Sequence, residues 1–481
     1  MAGRGSPFLP PLFNFEKVMS AIRLVEVELP EFGIPEARPA LSAEVYLERL
    51  ARLRDRARAA GLDAVIIYAD REHFANMAYL TGFEPRFEEA LLILVGGKDP
   101  IVITGPENQG YAPVSPLALE VVLYPPFGLL GQDRRKTPPL AQILTDAGLA
   151  KGATVGMAGW KYYGPLETAT PDTWLETPSF IVDTLRAIVG SGGRVANATR
   201  LLMGASDGLR AINEVDQLAQ FEFAACHASE AIKRVIRGVR PGMREFEAAR
   251  LMELIGLPLS CHAMLSSGER ATLGLASPSD KRIERGEPFA TAVGLWGALT
   301  CRAGWMIEDE SGLPSGAADY LDRLAKPYFQ CVVEWYETIG IGVSGGDIDA
   351  LVKRHLGDPF FGVRLNPGHL IHLDEWMNSP IYPDSTERLR SGQAIQVDII
   401  PATNSAYFSI NIEDGIALLD TRGRSELAEK YPAAWERVRS RRDFMGDALG
   451  IRLKPEVLPF SNLAAALPPF ILSPNRVLAR A

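Results

Sequence analysis

Sulfur and imidazole are scarce in this chain. Its 481 residues hold four cysteines (Cys226, Cys261, Cys301 and Cys331) and six histidines. The cysteines are widely spaced and none forms a CxxC pair. That argues against a structural zinc or a disulfide framework and fits a reducing compartment. No apolar run approaches the ~20 residues needed to span a bilayer. Residues Met1 to Pro11 lack a cationic start followed by an apolar stretch, so no secretion signal is expected and the cytoplasm is the expected location. Basic charge is in deficit, with 50 Lys and Arg against 59 Asp and Glu and a net charge of −9. A nucleic-acid partner is therefore not expected, because phosphate neutralisation needs a basic face. The one dense basic run, Arg437, Arg439, Arg441 and Arg442, lies between Glu436 and Asp443 and reads as a solvated helix face. There is no GxGxxG after a strand, no GxxxxGK[ST], no HExxH and no GxSxG. Dinucleotide, nucleoside-triphosphate, zincin and α/β-hydrolase readings thus lack their residues, although a Ser or Cys nucleophile needs no local motif.

What is present is an ordinary globular composition, 47% apolar and 23% charged, long enough for two domains. Residues 1–40 are rich in Pro and Gly and read as an arm. A helix is expected from Ser42 to Gly61, carrying Tyr46, Leu47, Leu50 and Leu53 on one stripe. The run Ala64-Val65-Ile66-Ile67-Tyr68 reads as a strand buried on both faces. Ala90–Val95 and Pro100–Thr104 suggest further strands of the same α/β domain. The run Val189-Gly190-Ser191-Gly192-Gly193 is the best linker candidate. Beyond it, a long helix capped by Asn213 is expected to end at Gly238, followed by a helix from Arg244 to about Ile255. Short strands at 263–265, 289–293 and 298–301 come next. Two helices, at 316–338 and 346–355, precede strands at 394–400, 406–410 and 415–419. Helix pair, strands, helix pair, strands is a duplicated α+β layout.

The histidines narrow the search for chemistry. His227 and His355 lie in helices and read as structural, and His73 as a loop or cap residue. His369 and His372 follow Asn366-Pro367-Gly368, where Pro and Gly break regular structure. On a strand the two would face opposite sides, so at most one enters a given site. A packed core histidine is the alternative for each. Asp398 sits in the apolar strand 394–400 and Glu413 in Ile410-Asn411-Ile412-Glu413-Asp414. Acids among β-branched neighbours are seldom buried without a partner. Either they face solvent or the sheet aims both at one polar site that a His or cation compensates.

Gly368-His369, then Gly392 with Asp398 six residues on, then Ile412-Glu413-Asp414 resembles the late motifs of the creatinase, prolidase, aminopeptidase P and methionine aminopeptidase superfamily. Arg71-Glu72-His73 with Tyr79-Leu80-Thr81-Gly82-Phe83 resembles its N-terminal domain. Leu209-Arg210 with Glu214, and Val239-Arg240-Pro241-Gly242 before Glu245, resemble its opening catalytic helices. The resemblance covers roughly residues 41–425. It implies an α/β creatinase-like N-terminal domain (41–205) and an α+β pita-bread C-terminal domain (206–440), between the arm (1–40) and a Pro-rich C-terminal extension (441–481) expected to pack on the body or on a partner. It also implies a homodimer.

The metallopeptidase members hold two metal ions with two Asp, one His and two Glu. By resemblance the His maps to His369 and the late acids to Asp398 and Glu413. The two early Asp are missing, since no acid occurs between Glu287 and Glu308, and Ala292 and Ala303 stand in their places. Neither a dinuclear centre nor any other cofactor is therefore expected. Creatinase is the family's metal-free precedent, but Leu275 stands where its catalytic His is expected, and Trp376 replaces the second His of the peptidases. The expected activity is metal-independent hydrolysis of a C–N bond in a small amide, lactam, amidine or urea-like substrate. His369 would act as neutral general acid/base, Asp398 or Glu413 would orient it, and His262 could replace the lost His. Arg302 is expected to fill the metal's electrostatic place or clamp a carboxylate, and His372, Trp376 and Trp305 to line the substrate. A non-catalytic binding relative and a peptidase with an altered metal site are the alternatives.

Overall fold

The computed structural model describes residues 22–481. The first domain is built on a six-stranded mixed sheet of β2 (Ala64–Ala69), β3 (Ala90–Val95), β4 (Ile101–Thr104), β5 (Glu120–Leu123), β6 (Thr154–Ala158) and β7 (Arg194–Asn197), in the order β5-β4-β3-β2-β6-β7. The central strand β2 runs parallel to β6 and antiparallel to β3. All six of its residues are buried, as its unbroken apolar sequence predicts. The Ala43–Ala59 helix turns Leu50 and Leu53 inward. Ser42 is its N-cap residue, but the Ser42 side chain makes no capping hydrogen bond. The glycine run at 190–193 is not a linker between domains. It is a turn that carries the chain from the Ser179–Val189 helix into β7, inside the first domain.

The second domain is a curled antiparallel sheet of β8 (Leu259–Ser267), β9 (Pro288–Leu295), β10 (Ala298–Trp305), β11 (His369–Leu370), β12 (Ala394–Asp398) and β13 (Asn411–Leu418), in the order β11-β12-β13-β10-β9-β8, with β14 (Val457–Pro459) also paired to β13. The Val215–Gly238 helix packs on β9 and β10. The Lys326–Thr338 helix packs on the Gly345–Leu356 helix, which completes the expected helix–strand alternation. Three local expectations fail. The Arg244–Ile255 helix shrinks to Glu245–Arg250. Residues 406–410 form no strand, because the chain enters β13 only at Asn411 after a turn. Asn213 does not cap the long helix: Glu214 holds that position, and the Asn213 amide donates instead to the Gly392 carbonyl at 3.0 Å.

Both chain extensions are structural. Residues Ile22–Glu26 (β1) leave the expected arm to pair antiparallel with β15 (Arg476–Arg480). The C-terminal extension lies on the body, and Leu458 to Ile471 are buried almost throughout. It covers the outer face of β10 and β13. There Arg302, fully buried, donates to Asp414 Oδ2 at 2.6 Å and to the Ala466 carbonyl at 2.8 Å. The Ala465 amide also donates to Asp414, at 3.2 Å. The basic run near 440 is likewise not a solvated face. Arg441 is fully buried and donates to Glu222 at 2.8 Å, and Arg437 donates to the same carboxylate at 2.6 Å. Glu222 is held below the usual carboxylate range: burial would raise it, but the two guanidiniums prevail.

Breaking one buried pair tests this arrangement. Arg302→Ala leaves Asp414 uncompensated and is expected to lower the unfolding free energy by about 3–5 kcal/mol. Arg302→Met combined with Asp414→Leu should recover most of that loss, both read from urea unfolding curves.

Candidate active site

Strand alternation builds the site. In an antiparallel pair, residues directly opposite one another point to the same face. Ala292 lies opposite Cys301, Cys301 opposite Glu413, and Glu413 opposite Asp398. One row of side chains therefore crosses four strands, from β9 through β10 and β13 to β12. Gln396, two residues before Asp398 and so on the same face, lies opposite His369, which brings the imidazole to that row. Arg302 and Asp414 occupy the intervening positions and face the other way.

The turn before His369 is tightly specified. Gly368 has φ +131°, and a Cβ there would lie 2.9 Å from the Gln396 carbonyl oxygen, so a side chain is excluded on both counts. The Trp335 indole donates to the Pro367 carbonyl at 2.7 Å and the Ser379 hydroxyl to the Gly368 carbonyl at 2.7 Å. His369 emerges buried, its Nδ1 3.2 Å from the Leu370 carbonyl oxygen. Around Nε2 stand three carboxylates: Glu375 at 3.2 Å, Glu413 at 3.7 Å and Asp398 at 3.9 Å. None has hydrogen-bond geometry to Nε2, and Asp398 Oδ1 also lacks a partner among the described residues.

Charge follows from this packing. Burial alone would depress the imidazole, but the neighbouring Glu375, Glu413 and Asp398 carboxylates lift it well above its ordinary value. Asp398 is pushed up to about 6 by burial and by Glu375, against the pull of His369. Glu413 is raised well above the carboxylate range by burial and by Asp398. The three carboxylates thus favour the charged form of the ring over the neutral imidazole expected from the sequence.

The other expected site residues fall elsewhere. Arg302 serves the opposite face of the sheet, so it neither replaces a metal nor reaches a substrate. His372 is a core residue, edge-on to Tyr79 and Phe221 at 5.4 and 5.1 Å. Burial and the nearby Arg210 and Arg49 hold its pKa well below the usual value, and neither ring nitrogen has a hydrogen-bond partner among the described residues. His262 is exposed on β8, outside the His369 cluster, and its Nε2 lies 2.9 Å from the Leu275 carbonyl oxygen. Trp305 is buried against Tyr320 and Phe408, an ordinary core role. Trp376 is 63% exposed and follows Glu375 in the chain.

Glu375 is the residue that sequence reading missed. Its signal was the acidic pair Asp374-Glu375 shortly after His369. The first of the pair is taken by the buried Arg210, which also donates to Asn76 Oδ1 of the first domain at 2.8 Å. The second reaches His369. Cys261, on β8, also senses this region: burial and the fields of Glu375 and Glu413 push its thiol up to about 11.

A creatinase/prolidase N-terminal domain model matches residues 49–188, and a metallopeptidase family M24 model matches residues 219–419. The chain joins a creatinase/prolidase N-terminal domain to a metallopeptidase family M24 domain. Over 227 residues the chain is 25% identical to the uncharacterized peptidase YqhT of Bacillus subtilis (strain 168), an alignment covering 45% of the chain and 62% of that protein. The chain therefore spans less than two thirds of the length of that relative. Its fold is similar to the prolidase from Pyrococcus horikoshii OT3 (TM-score 0.59, 16% identity, 77% of this chain and 95% of that one). It is also similar to the Xaa-Pro dipeptidase from Bacillus anthracis (0.58, 20%, 79% and 96%) and the X-Pro aminopeptidase from Thermotoga maritima MSB8 (0.58, 17%, 77% and 95%).

The paired-metal centre that the family implies does not fit these residues. At the positions of the two early carboxylates, Ala292 lies beside Cys301, and Ala303 packs with Ala290 and Ala271 in a small apolar cluster. No bridging ligand is available there. What remains is the trio His369, Asp398 and Glu413, each offering one atom within 4.8 Å of the others.

The raised groups carry a signed consequence. A folded-state pKa above the unfolded one contributes stability that is complete below the unfolded value and lost as pH rises through the folded value. For Asp398 that window runs from about pH 4 to beyond pH 6. Asp398→Asn should therefore gain on wild type by about 1–3 kcal/mol between pH 4 and pH 7, measured as the difference in urea unfolding free energy.

Proposed function

We propose that this protein hydrolyses an amide-like C–N bond in a small molecule, without the paired metal ions of its peptidase relatives. The observation that carries the reading is the imidazole enclosed by two buried carboxylates, Asp398 and Glu413, and the half-buried Glu375, facing alanines where the family's early metal ligands would stand. Two groups with separated proton affinities are what a general acid and a general base require. His369, held charged, is the acid that protonates the departing nitrogen. Asp398, titrating near neutrality, is the base that takes a proton from the attacking water. Water adds to the carbonyl-type carbon, the C–N bond breaks, and the amine leaves carrying the proton from His369. Glu375 and Glu413 flank the ring at 3.2 and 3.7 Å and fix its position between them.

A second reading, one divalent ion on His369, Asp398 and Glu413, is favoured by the closeness of their ligand atoms and by the unpartnered Asp398 Oδ1.

The test is a panel of linear and cyclic amides, amidines and ureas, assayed with and without a strong chelator. The expected result is turnover that survives chelation and falls by roughly 10²–10⁴-fold in His369→Ala, with the circular dichroism spectrum unchanged. Turnover abolished by the chelator and restored by one equivalent of metal would establish the single-ion reading. No turnover across the panel, with the fold intact, would count against hydrolysis altogether.

A further inference from the structure

A cavity of about 320 Å³ lies at the junction of the two domains. The first domain contributes Tyr46 and Arg49 from the Ala43–Ala59 helix and Ala78 and Gly82 from around the Ala75–Thr81 helix. The second contributes Gln217 and Gln220 from the long helix, Trp296 from the β9–β10 turn, and Leu373 from the loop that also carries Glu375. The segment Arg38–Leu41 closes one side. In a chain with net charge −9, two arginines and no acid line this space.

The donors there are not equally engaged. Arg49 is fully buried and committed: it donates to Glu214 at 2.7 Å, to the Tyr79 carbonyl at 2.9 Å and to Gln217 at 3.1 Å. Gln217 donates to Gln220 at 3.2 Å, and Gln220 donates to the Pro39 carbonyl at 2.7 Å. Both amides are thus tied into the wall. Arg38 differs. Among the described residues its one hydrogen bond is from Nη2 to Gln220 at 3.2 Å, and the rest of its fork has no partner there. Tyr46 and the Trp296 indole are further donors with no acceptor among the described residues. The Trp296 ring stacks on Phe74 at 4.8 Å, and the Arg38 guanidinium carbon lies 5.9 Å from its centroid. A planar fork that feels the field of Glu84 but makes no ion pair with it among the described residues, a hydroxyl, an indole N–H and an aromatic surface, around a cavity of small-molecule size with no acid in its lining, match a planar organic anion.

We propose that this cavity is a binding site for a small organic carboxylate, clamped by Arg38 and packed against Trp296. It is separate from the His369 cluster, and it stands whether or not the protein is a hydrolase.

Isothermal titration of the full chain with benzoate, and separately with inorganic phosphate, tests the assignment. The expected result is saturable binding of benzoate that weakens about tenfold or more in Arg38→Gln and also weakens in Trp296→Ala. Arg364→Gln, in a different surface cleft, should leave the affinity unchanged. Inorganic phosphate should bind more weakly than benzoate, since it lacks the planar apolar part. Benzoate binding that is absent, equally strong in Arg38→Gln, or no tighter than that of phosphate would overturn the proposal. Thermal melting of each variant separates loss of the site from loss of the fold.

Discussion

Strand β13 sends Glu413 and Asp414 to opposite faces of one sheet, and each face then demands its own cation. On the outer face the demand is met by Arg302, a permanent charge supplied by the neighbouring strand and roofed by the C-terminal extension. On the inner face the nearest positive group is the ring of His369, whose charge depends on a proton. One pair of adjacent acids thus separates a fixed ion pair that holds the sheet together from a titrating cluster available for chemistry. An ion pair whose cation cannot lose its proton suits a scaffold. An imidazole suits a site.

The inner face draws its groups from two kinds of support. On β9 and β10 it carries alanines, beside Cys301 and against Ala290 and Ala271. Glu375 reaches the cluster from a loop, on a segment anchored by Arg210 and by the His372 ring. A strand-borne acid has its position set by backbone pairing, whereas a loop-borne acid takes its position from the contacts at its flanks. Arg210 bonds both Asp374 and Asn76, so those contacts reach into the first domain.

Much of this was legible in the sequence. The unbroken apolar run of β2, the paired helices and the order of Gly368-His369, Asp398 and Glu413 give the architecture and three of the four groups in the cluster. What stayed hidden depends on pairing partners far away in the chain. Arg302 reads as a candidate site residue until β13 shows that it faces Asp414. Arg441 reads as a surface charge until Glu222, more than two hundred positions earlier, is found beneath it. Glu375 carries no periodic signal because it sits in irregular chain, and only the capture of its neighbour by Arg210 singles it out. The carboxylates that favour a charged His369 were hidden for the same reason, since they come from β12, β13 and a loop.

The pairing of β1 with β15 has a mechanical consequence. Ile22 lies opposite Arg480 and Glu26 opposite Arg476, so the start and finish of the described chain leave the body side by side. A load pulling those two points apart would meet the rungs of this ribbon singly, like a zip, rather than all five together. The ribbon would peel before either domain felt the strain.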